Sequence, residues 1–338
     1  MQILSFESSC DETSCAVVEY DGERFNVKSN IVASQIDIHA RFGGVVPEIA
    51  SRAHCEAISK ITYEALEEAG ADIERDIDAI CVTASPGLIG ALLVGVNFAK
   101  SLAYSYKKPL VAVNHMKGHI AANYISHPEL KPPFLTLIAS GGHTSFVIVH
   151  DYTKTETIAG TRDDAMGEAF DKVARVMGMP YPGGAALDKL AYEGTPCLKF
   201  PSSAIGGDTL DMSFSGIKTA VLNYLNSKAQ KGEEYSRADV AASFVESAVT
   251  GVITKLNLAL DAHPEIKSLA LAGGVAANSH LRAAVKALAE KRGIDLYLPE
   301  LCYCGDNGAM IAVAGILEYN EGKRADVFLN ASAADEEE

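Results

Sequence analysis

Two histidines one helical turn apart are the residues of this sequence with the clearest capacity for chemistry. His115 and His119 stand at positions i and i+4 within Asn114–His119. On a helix this spacing places both imidazoles on one face, as chelation of a metal ion requires. No glutamate lies between them, so the pattern is not the HExxH motif of metalloproteases. The competing interpretation is a pair of solvated surface histidines.

Asp306 is the candidate third ligand of this metal site. It follows the predicted strand 295–298, at a position that an internal repeat makes equivalent to the strand exit before His115. The equivalence predicts that Asp306 points across a cleft between two lobes toward the histidines. Two histidines and one carboxylate leave open positions on a metal, which is typical of Fe²⁺ and compatible with Zn²⁺. The alternative is a simple cap for the helix that begins near Asn307.

A glycine-rich turn is the second candidate for chemistry. Ser140–Thr144 contains the adjacent pair Gly141 and Gly142, whose backbone can approach a phosphate closely. An ordinary hairpin turn is the alternative. Asp11 and Glu12 occupy the matching turn in the first half of the chain.

Two further turns open helices in positions suited to a nucleotide. Gly273–Asn278 follows a predicted strand, and N–H groups at a helix N-terminus bind phosphate or adenosine. Asn278 can equally be only an N-cap. The turn that starts at Tyr181 leads to Asp188, whose carboxylate either accepts ribose hydroxyls or simply complements the helix dipole.

Repeated strand and turn units must position these residues. Residues 3–20 and 135–150 each have the pattern of a strand, a short polar turn and a second strand. Thr13 aligns with Thr144, 131 residues later. A turn of small and polar residues between two strands presents backbone N–H groups to an anion.

A second repeated unit follows each hairpin. Residues 79–113 and 268–298 both have the order strand, glycine-rich turn, helix, strand. A hairpin followed by this unit is the order of a ribonuclease H-like or actin-like half. The repeat therefore predicts an α/β chain with two lobes, and a single doubly wound sheet is the alternative.

The remaining segments indicate helices and domain limits. Residues 48–69 and 237–262 have helical periodicity, and 163–260 holds a helical insertion. Two prolines near residue 132 forbid a continuous helix, so we place a domain boundary there. The predicted domains are an N-terminal lobe (1–130), a C-terminal lobe with the insertion (131–330) and an acidic disordered tail (331–338).

Composition limits the class of protein. Hydrophobic residues make up 48% of the 338 residues, and no apolar stretch reaches the length of a membrane span. The N-terminus has the pattern of a strand and not of a signal peptide. The seven cysteines lack a disulfide spacing, which fits the cytoplasm. The net charge of −15 argues against a chain that binds nucleic acid unaided.

Ordered motifs along almost the whole chain are similar to those of one family. They are Glu7–Ser14, Val46–His54, Asn114–His119, Ser140–Thr144, Gly167–Ala174, Tyr181–Gly184, Phe214–Thr219, Gly273–Asn278 and Asp306-Asn307. They resemble the bacterial tRNA N6-adenosine threonylcarbamoyltransferases (the TsaD, Gcp or YgjD family), formerly described as O-sialoglycoprotein endopeptidases. The resemblance runs from residue 5 to about residue 315.

The resemblance implies a fold, a reaction and a set of site residues. The fold is the two-lobed actin-like and sugar-kinase-like (ASKHA) class. The reaction is transfer of threonylcarbamoyl from threonylcarbamoyl-AMP to N6 of adenosine 37 in tRNAs that read codons beginning with A. The metal ligands are His115, His119 and Asp306. The substrate-binding residues are Ile138, Ala139, Ser140, Gly141, Gly142, Asp171, Gly184, Asp188 and Asn278.

The resemblance also implies one divalent metal, with Fe²⁺ favoured over Zn²⁺, and a set of partners. These are substrate tRNA, a paralogous actin-like subunit (TsaB) and a P-loop ATPase subunit (TsaE), in the cytoplasm and without a membrane. The chain departs from the family at three positions. Lys117 replaces an acid, although a helix would turn it away from the ligands. Gly305 and Gly308 replace a Thr and an Ala, and would loosen the placement of Asp306.

The chemistry of the acceptor adds a hypothesis for catalysis. The N6 amine of adenosine is a poor nucleophile, so its proton needs an acceptor, and the cleft-facing turn offers Asp11 or Glu12. Three other functions compete with tRNA modification. They are carbamoyl transfer to a small molecule or protein on the same fold, metalloproteolysis, and nucleotide-regulated client binding without catalysis.

Overall fold

The chain, seen in a computed structural model that describes residues 1–334, divides into two compact units. The first unit combines Met1–Leu130 with the residues from Pro299 onward, and the second unit is Lys131–Leu298. Each unit contains one five-stranded sheet.

Ten strands and ten helices form the two units. The strands are β1 (Gln2–Glu7), β2 (Glu12–Tyr20), β3 (Phe25–Ser34), β4 (Ala79–Ser85), β5 (Leu110–Asn114), β6 (Phe134–Ala139), β7 (Thr144–Asp151), β8 (Lys154–Gly160), β9 (Ser268–Ala272) and β10 (Asp295–Tyr297). The helices are α1 (Ile36–His39), α2 (Pro47–Ala69), α3 (Ile89–Tyr106), α4 (His115–Ser126), α5 (Met166–Val176), α6 (Gly184–Ala191), α7 (Ser215–Lys231), α8 (Arg237–Ala262), α9 (Ser279–Arg292) and α10 (Gly308–Asn320). Short 3₁₀ helices are Ala40–Phe42, Gly274–Ala277 and Leu301–Tyr303.

The two sheets have the same topology, which confirms the repeat. Their strand orders are β3-β2-β1-β4-β5 and β8-β7-β6-β9-β10. In each, the central strand pairs antiparallel with the hairpin partner and parallel with the strand of the second repeated unit. Glu7 pairs with Ser14, and Ile138 pairs with Ser145, so the 131-residue offset of the sequence also holds in the hydrogen-bond register.

Alternating side chains put helices on both faces of the first sheet. Leu4 and Phe6 of β1 join a buried apolar cluster with residues of α2 and α3. Ser5, between them, points to the opposite face, where its hydroxyl donates to the Gly308 carbonyl at the start of α10 (2.7 Å). Successive side chains of a strand point to opposite faces, and helices cover both faces of β1. For this reason β1 is buried continuously and shows no alternation of buried and exposed residues.

The predicted end of the second domain, at residue 330, is wrong. Residues 299–330 belong to the first unit and not to a lobe that spans 131–330. The reason is α10, which is buried along almost its whole length and packs on α4, β1 and β2. The prediction of disorder from residue 331 onward is wrong for Ser332. The Ser332 N–H donates to the Ala84 carbonyl (2.9 Å), and residues 335–338 lie outside the described part of the chain.

Two edge strands were missed in the sequence. The side chains of β3 and β8 are mostly exposed or half-buried, and β8 begins with four exposed residues. An edge strand has one neighbour and needs no long apolar run, so its pattern resembles that of a loop. Within residues 1–334, none of the helices has the length and apolarity to cross a membrane.

Candidate functional site

The two histidines lie on the first turns of α4, directly after β5. The Asn114 side chain caps this helix by accepting hydrogen bonds from the N–H groups of Met116 (2.8 Å) and Lys117 (3.1 Å). The cap makes His115 the first helical residue, and one turn later His119 faces the same side. Their ring centroids are 4.6 Å apart.

Asp306 completes a three-residue cluster within the first unit. Its Oδ1 lies 3.5 Å from Nε2 of His115 and 3.2 Å from Nε2 of His119. One ligand atom from each residue falls within 4.8 Å of the others. The competing interpretation of Asp306 as a helix cap is wrong, because the Asn307 side chain caps α10 by accepting from Met310 N–H (3.0 Å).

Burial of the histidines tests whether the cluster suits a metal ion. His115 is 6% exposed and His119 is 1% exposed, so the interpretation as solvated surface residues is wrong. Among the described residues, His119 Nδ1 has no hydrogen-bond partner, and its Nε2, although 3.2 Å from Asp306 Oδ1, is not aligned for a hydrogen bond. A buried polar atom without a partner is costly, and a lone pair directed at a cation removes that cost. The cluster therefore fits a divalent metal.

Glu7 contacts His115 at Nδ1, the ring nitrogen that does not face Asp306, and so orients the ring. Glu7 was not predicted from the sequence as a site residue. Its Oε2 lies 3.0 Å from His115 Nδ1 and accepts from the Thr83 hydroxyl (2.5 Å), and its Oε1 accepts from the Ser9 N–H (2.5 Å). The hydrogen bond at Nδ1 leaves Nε2 of His115 to face Asp306. A carboxylate behind a ligating imidazole is the usual arrangement of metal-bound histidine.

Charges around His115 change its proton affinity. Burial disfavours the charged imidazole, but Glu7 and Asp306 outweigh burial and raise the pKa of His115 to about 9. Burial likewise disfavours the ionised Glu7 carboxylate, yet His115 lowers the pKa of Glu7 below its ordinary value. In the sequence, Glu7 was marked only as the first residue of the Glu7–Ser14 motif, next to a predicted strand, and nothing there indicated a contact with His115.

The turn between β1 and β2 carries the two carboxylates that were candidates for catalysis. Asp11 is 8% exposed and Glu12 is half-buried, with Glu12 Oε1 accepting from the Ser34 hydroxyl (3.2 Å). Burial, followed by the charges of Asp306 and Asp11, raises the pKa of Glu12 to about 9. The turn is packed, because a Cβ at Gly87 would lie 2.7 Å from the Ser9 carbonyl oxygen.

The departures from the family pattern are accommodated without disturbing the ligands. Lys117 points away from them, as predicted, and its Nζ lies 3.2 Å from Oε1 of the buried Glu318 on α10. The expectation that Gly308 loosens Asp306 is wrong. A Cβ at Gly308 would lie 2.7 Å from Ala16 N, so the glycine allows α10 to approach β2 closely. Its N–H donates to Ser14 Oγ (2.8 Å).

The glycine turn of the second unit is open where the first turn is packed. Ser140 N–H donates to the His143 carbonyl (2.8 Å), which closes the turn between β6 and β7. Gly141 and Gly142 are exposed, and a Cβ on either would meet no atom within 4 Å. Their N–H groups are engaged by none of the residues that the structure describes. The turn thus offers two free donors to an anion.

Asp171 and Gly184 meet at the start of α6. Oδ1 of Asp171 accepts from the N–H groups of Gly183 (2.8 Å) and Gly184 (2.9 Å). A Cβ at Gly183 would lie 2.2 Å from the Cβ of Ala174, so this residue lets α6 pack against α5. One oxygen of Asp171 therefore positions the backbone of the turn.

Asp188 and Asn278 meet at the start of α9. Asp188 accepts from the N–H (3.0 Å) and hydroxyl (2.6 Å) of Ser279, and lies 2.6 Å from Nδ1 of His280. The Asn278 side chain accepts from Leu281 N–H (2.8 Å) as the N-cap. Burial opposes ionisation, but hydrogen bonds from Ser279 and His280 outweigh it and lower the pKa of Asp188. Both residues therefore have a structural role at this helix.

We expect Asp188→Ala to raise the amide exchange rate of Ser279 and His280 by about tenfold, since each N–H donates to the Asp188 carboxylate and a hydrogen bond to a charged acceptor contributes about 1.5 kcal/mol or more. Exchange of both amides by NMR checks this, with the exposed Asp208→Ala as control. Because the folded pKa of Asp188 is lowered, the protection should persist above its unfolded pKa and disappear as pH falls through the folded value. Unchanged exchange in Asp188→Ala would contradict this structural role.

Two known proteins with similar sequences share one name, which is also that of the matching family. The family model described as "TsaD: tRNA N6-adenosine threonylcarbamoyltransferase" matches residues 26–313. A protein of that name from Clostridium botulinum is 53% identical over 98% of this chain and 96% of its own length. One from Clostridium perfringens is 54% identical over 97% of this chain and 96% of its own length.

Solved structures at low identity show the fold alone. Full-length HypF in a phosphate- and nucleotide-bound form has a TM-score of 0.61 at 15% identity, over 95% of this chain and 46% of that one. Component A of the Acidaminococcus fermentans (R)-2-hydroxyglutaryl-CoA dehydratase has a TM-score of 0.56 at 14% identity, over 95% and 99%. The duplicated actin-like, sugar-kinase-like class is confirmed.

Proposed function

This chain belongs to the TsaD family of tRNA N6-adenosine threonylcarbamoyltransferases, and on that premise we propose that its donor is threonylcarbamoyl-AMP. The acceptor is N6 of adenosine 37 in tRNAs that read codons beginning with A. The observation that carries the proposal is the buried cluster of His115, His119 and Asp306, in a chain whose relatives at 53% identity carry the name of this transferase.

The cluster of the first unit holds one divalent metal, with Fe²⁺ favoured and Zn²⁺ compatible. Nε2 of each histidine and Oδ1 of Asp306 are the ligand atoms, and Glu7 holds the His115 ring in the orientation that binding needs. Such a metal supplies Lewis-acid polarisation of the substrate and fixes its orientation. Three protein ligands leave coordination positions for a substrate.

The second unit holds the donor nucleotide. The free N–H groups of Gly141 and Gly142 bind the phosphate, together with Ser140 and the backbone of Ile138 and Ala139 at the end of β6. The adenosine and ribose are held at the starts of two helices, by Asp171 and Gly184 at α6 and by Asp188 and Asn278 at α9. The open surface above the two glycines supports this assignment.

Proton removal from N6 falls to the turn between β1 and β2. The amine must lose a proton as its bond to the carbamoyl carbon forms and AMP departs. Burial, followed by the charges of Asp306 and Asp11, raises the pKa of Glu12 to about 9, which favours its neutral acid form over a form that accepts a proton. We therefore assign the acceptor role to Asp11.

We expect Asp11→Asn to lower the single-turnover rate roughly 100-fold, which is the lower range for a lost general base. Glu12→Gln should retain most of the rate, because an amide resembles the neutral acid already present. Both rates are measured with preformed donor, so that donor synthesis cannot limit them. Full activity of Asp11→Asn would exclude Asp11 as the base.

The acidic charge of the chain implies help in binding tRNA. A net charge of −15 repels a polyanion, so RNA affinity must come in part from other subunits. We assign this help to a complex with a paralogous actin-like subunit (TsaB) and a P-loop ATPase subunit (TsaE), in the cytoplasm.

A single-turnover assay tests the proposed function. The metal-loaded protein and its partner subunits are mixed with threonylcarbamoyl-AMP and unmodified tRNA, and modified adenosine is scored by mass spectrometry. Product that forms only with tRNAs for codons beginning with A supports the proposal. Absence of product from a metal-loaded complex overturns it and favours carbamoyl transfer to another acceptor.

A further inference from the structure

A chain of buried polar side chains lies behind the turn that carries Asp11 and Glu12. It consists of His54 on α2, Gln35 before α1 and His39 at the end of α1, each no more than 3% exposed. None of the three contacts the metal ligands through a hydrogen bond recorded for the described residues. Buried polar groups of this kind must be satisfied internally, so their partners show what they hold in place.

His54 holds the backbone on both sides of the two carboxylates. Its Nε2 lies 2.9 Å from the Cys10 carbonyl oxygen, and its Nδ1 lies 2.7 Å from the Thr13 hydroxyl. Cys10 precedes Asp11, and Thr13 follows Glu12. A third bond fixes the turn between these points, because the Gln35 N–H donates to the Asp11 carbonyl (2.9 Å).

The partners of the chain determine the position of each proton. A carbonyl only accepts, so Nε2 of His54 donates to Cys10. The single lone pair of Nδ1 in the neutral ring then accepts from the Thr13 hydroxyl (2.7 Å), with Gln35 Nε2 as a weaker second donor (3.3 Å). The carbonyl oxygen of the Gln35 side chain then accepts from His39 Nε2 (3.1 Å). Finally, His39 Nδ1 accepts from the Val46 N–H (3.3 Å).

The hydrogen bonds that link Val46, His39, Gln35, His54 and Cys10 run in one direction, and Gln35 Nε2 also donates to the Ala50 carbonyl (3.4 Å). Reversing one donor would leave a buried group unsatisfied at each neighbouring step, which costs about 1–3 kcal/mol per group. Burial, which lowers the pKa of His54, keeps the ring neutral and so keeps Nδ1 an acceptor, against the charges of Glu7 and Asp11 that favour protonation. The arrangement is thus fixed both in geometry and in direction.

We infer that His54, supported by Gln35 and His39, is a positioning residue that sets the place of the Asp11 carboxylate for proton removal from the acceptor. This inference rests on the proposed function of Asp11. It adds residues that touch neither substrate nor metal. Their effect is on the rate of the bound complex and not on its formation, because they set the orientation of a reacting group.

Thr13→Val is the sharpest test, because it removes only the hydroxyl that donates to His54. The matched control is Thr62→Val, which makes the same change at another buried threonine, whose hydroxyl donates to the Ile58 carbonyl of its own helix (2.6 Å), contacts the Cys15 thiol and has no bond to His54 among the described residues. Thr13→Ser restores the hydroxyl. His54→Leu and His54→Gln form a second pair, in which the amide of glutamine replaces the donor to Cys10.

With metal, preformed donor and tRNA at saturation, Thr13→Val should lower the single-turnover rate roughly 10-fold and His54→Leu roughly 100-fold. Half-saturating concentrations of both substrates and the bound metal should stay at wild-type values. Thr13→Ser and His54→Gln should recover a large part of the loss, and Thr62→Val should match wild type. ¹⁵N NMR should show His54 protonated at Nε2 and bare at Nδ1.

Three results would overturn the inference. The first is a wild-type rate in Thr13→Val, and the second is an equal loss in Thr62→Val, which would indicate general destabilisation. The third is a His54 ring protonated at Nδ1. If His54→Leu does not fold, the threonine pair alone decides. A wild-type protein without transfer activity refutes the proposed function and the positioning role with it, while the NMR result shows whether the hydrogen-bond chain itself is correct.

Discussion

Replacing Asp306 with alanine is expected to lower the single-turnover transfer rate by about 1,000-fold or more and to release the metal. Among residues 1–334, Asp306 contributes the carboxylate oxygen that lies near both Nε2 atoms, at 3.5 Å from His115 and 3.2 Å from His119. Without it, two neutral imidazoles remain to hold a divalent cation, and a major part of the binding charge is gone. Metal content by mass spectrometry and the transfer rate are measured on the same sample.

The fold should survive this substitution, which makes the result interpretable. Asn307, and not Asp306, caps α10, and the Asp306 side chain is 19% exposed. Asp306→Asn separates charge from shape, and should lose metal while keeping the thermal transition of the metal-free wild type. His150→Ala is the control for loss of a histidine, because His150 is half-exposed and pairs only with Glu156 among the described residues. Metal retention together with full activity in Asp306→Ala would refute the site.

Two glycines of the second unit should respond to alanine in opposite ways. Gly141→Ala places its Cβ in open space, so stability should remain at the wild-type value. If the turn binds the donor phosphate, the methyl group obstructs the approach, and donor affinity should fall about tenfold or more. Gly273 has φ of +89°, and its added Cβ would lie 2.4 Å from the Ala139 carbonyl oxygen. Gly273→Ala should therefore destabilise the second unit by about 3 kcal/mol or more.

Hydrogen exchange of the β6 and β9 amides, monitored at increasing denaturant concentration, measures the stability of the second unit. Titration with a non-hydrolysable donor analogue measures the affinity for the donor. The comparison separates ligand contact from packing, since only one substitution disturbs the protein itself. A Gly141→Ala variant with wild-type donor affinity would exclude this turn as the binding site of the donor phosphate. A Gly273→Ala variant of wild-type stability would show that β6 and the turn before α9 can move apart.

The repeated hairpins could be predicted from the sequence because their pattern is local. Buried strands on either side of a polar turn give the same signal twice, and the pairs Glu7–Ser14 and Ile138–Ser145 keep the offset. The histidine pair was predictable for the same reason, since a spacing of four residues fixes a shared helical face. Helix ends at glycine were equally local, as at Gly70 and Gly293, which both adopt left-handed backbone.

Features that depend on distant partners were not predictable. Glu7 meets His115 across 108 residues, and His54 meets Cys10 across 44, so no short pattern marks either contact. The unit to which residues 299–330 belong was also missed. An apolar helix such as α10 can pack against the apolar face of either sheet. Its contacts with α4 and β1 are what show that it covers the first sheet. The sequence thus predicted the candidate ligands but not the residues that contact them from distant positions in the chain.

The construction of the first unit from both ends of the chain has a consequence for biosynthesis. Ser5 and Gly308 are hydrogen-bonded although 303 residues separate them, so translation must pass residue 308 before this bond can form. A nascent chain that has reached residue 298 already holds His115 and His119 but lacks Asp306 and the helix that covers one face of β1. The cluster of His115, His119 and Asp306 can therefore form only after residue 306 has been synthesised, and a prematurely terminated chain leaves an apolar sheet face exposed to chaperones and proteases.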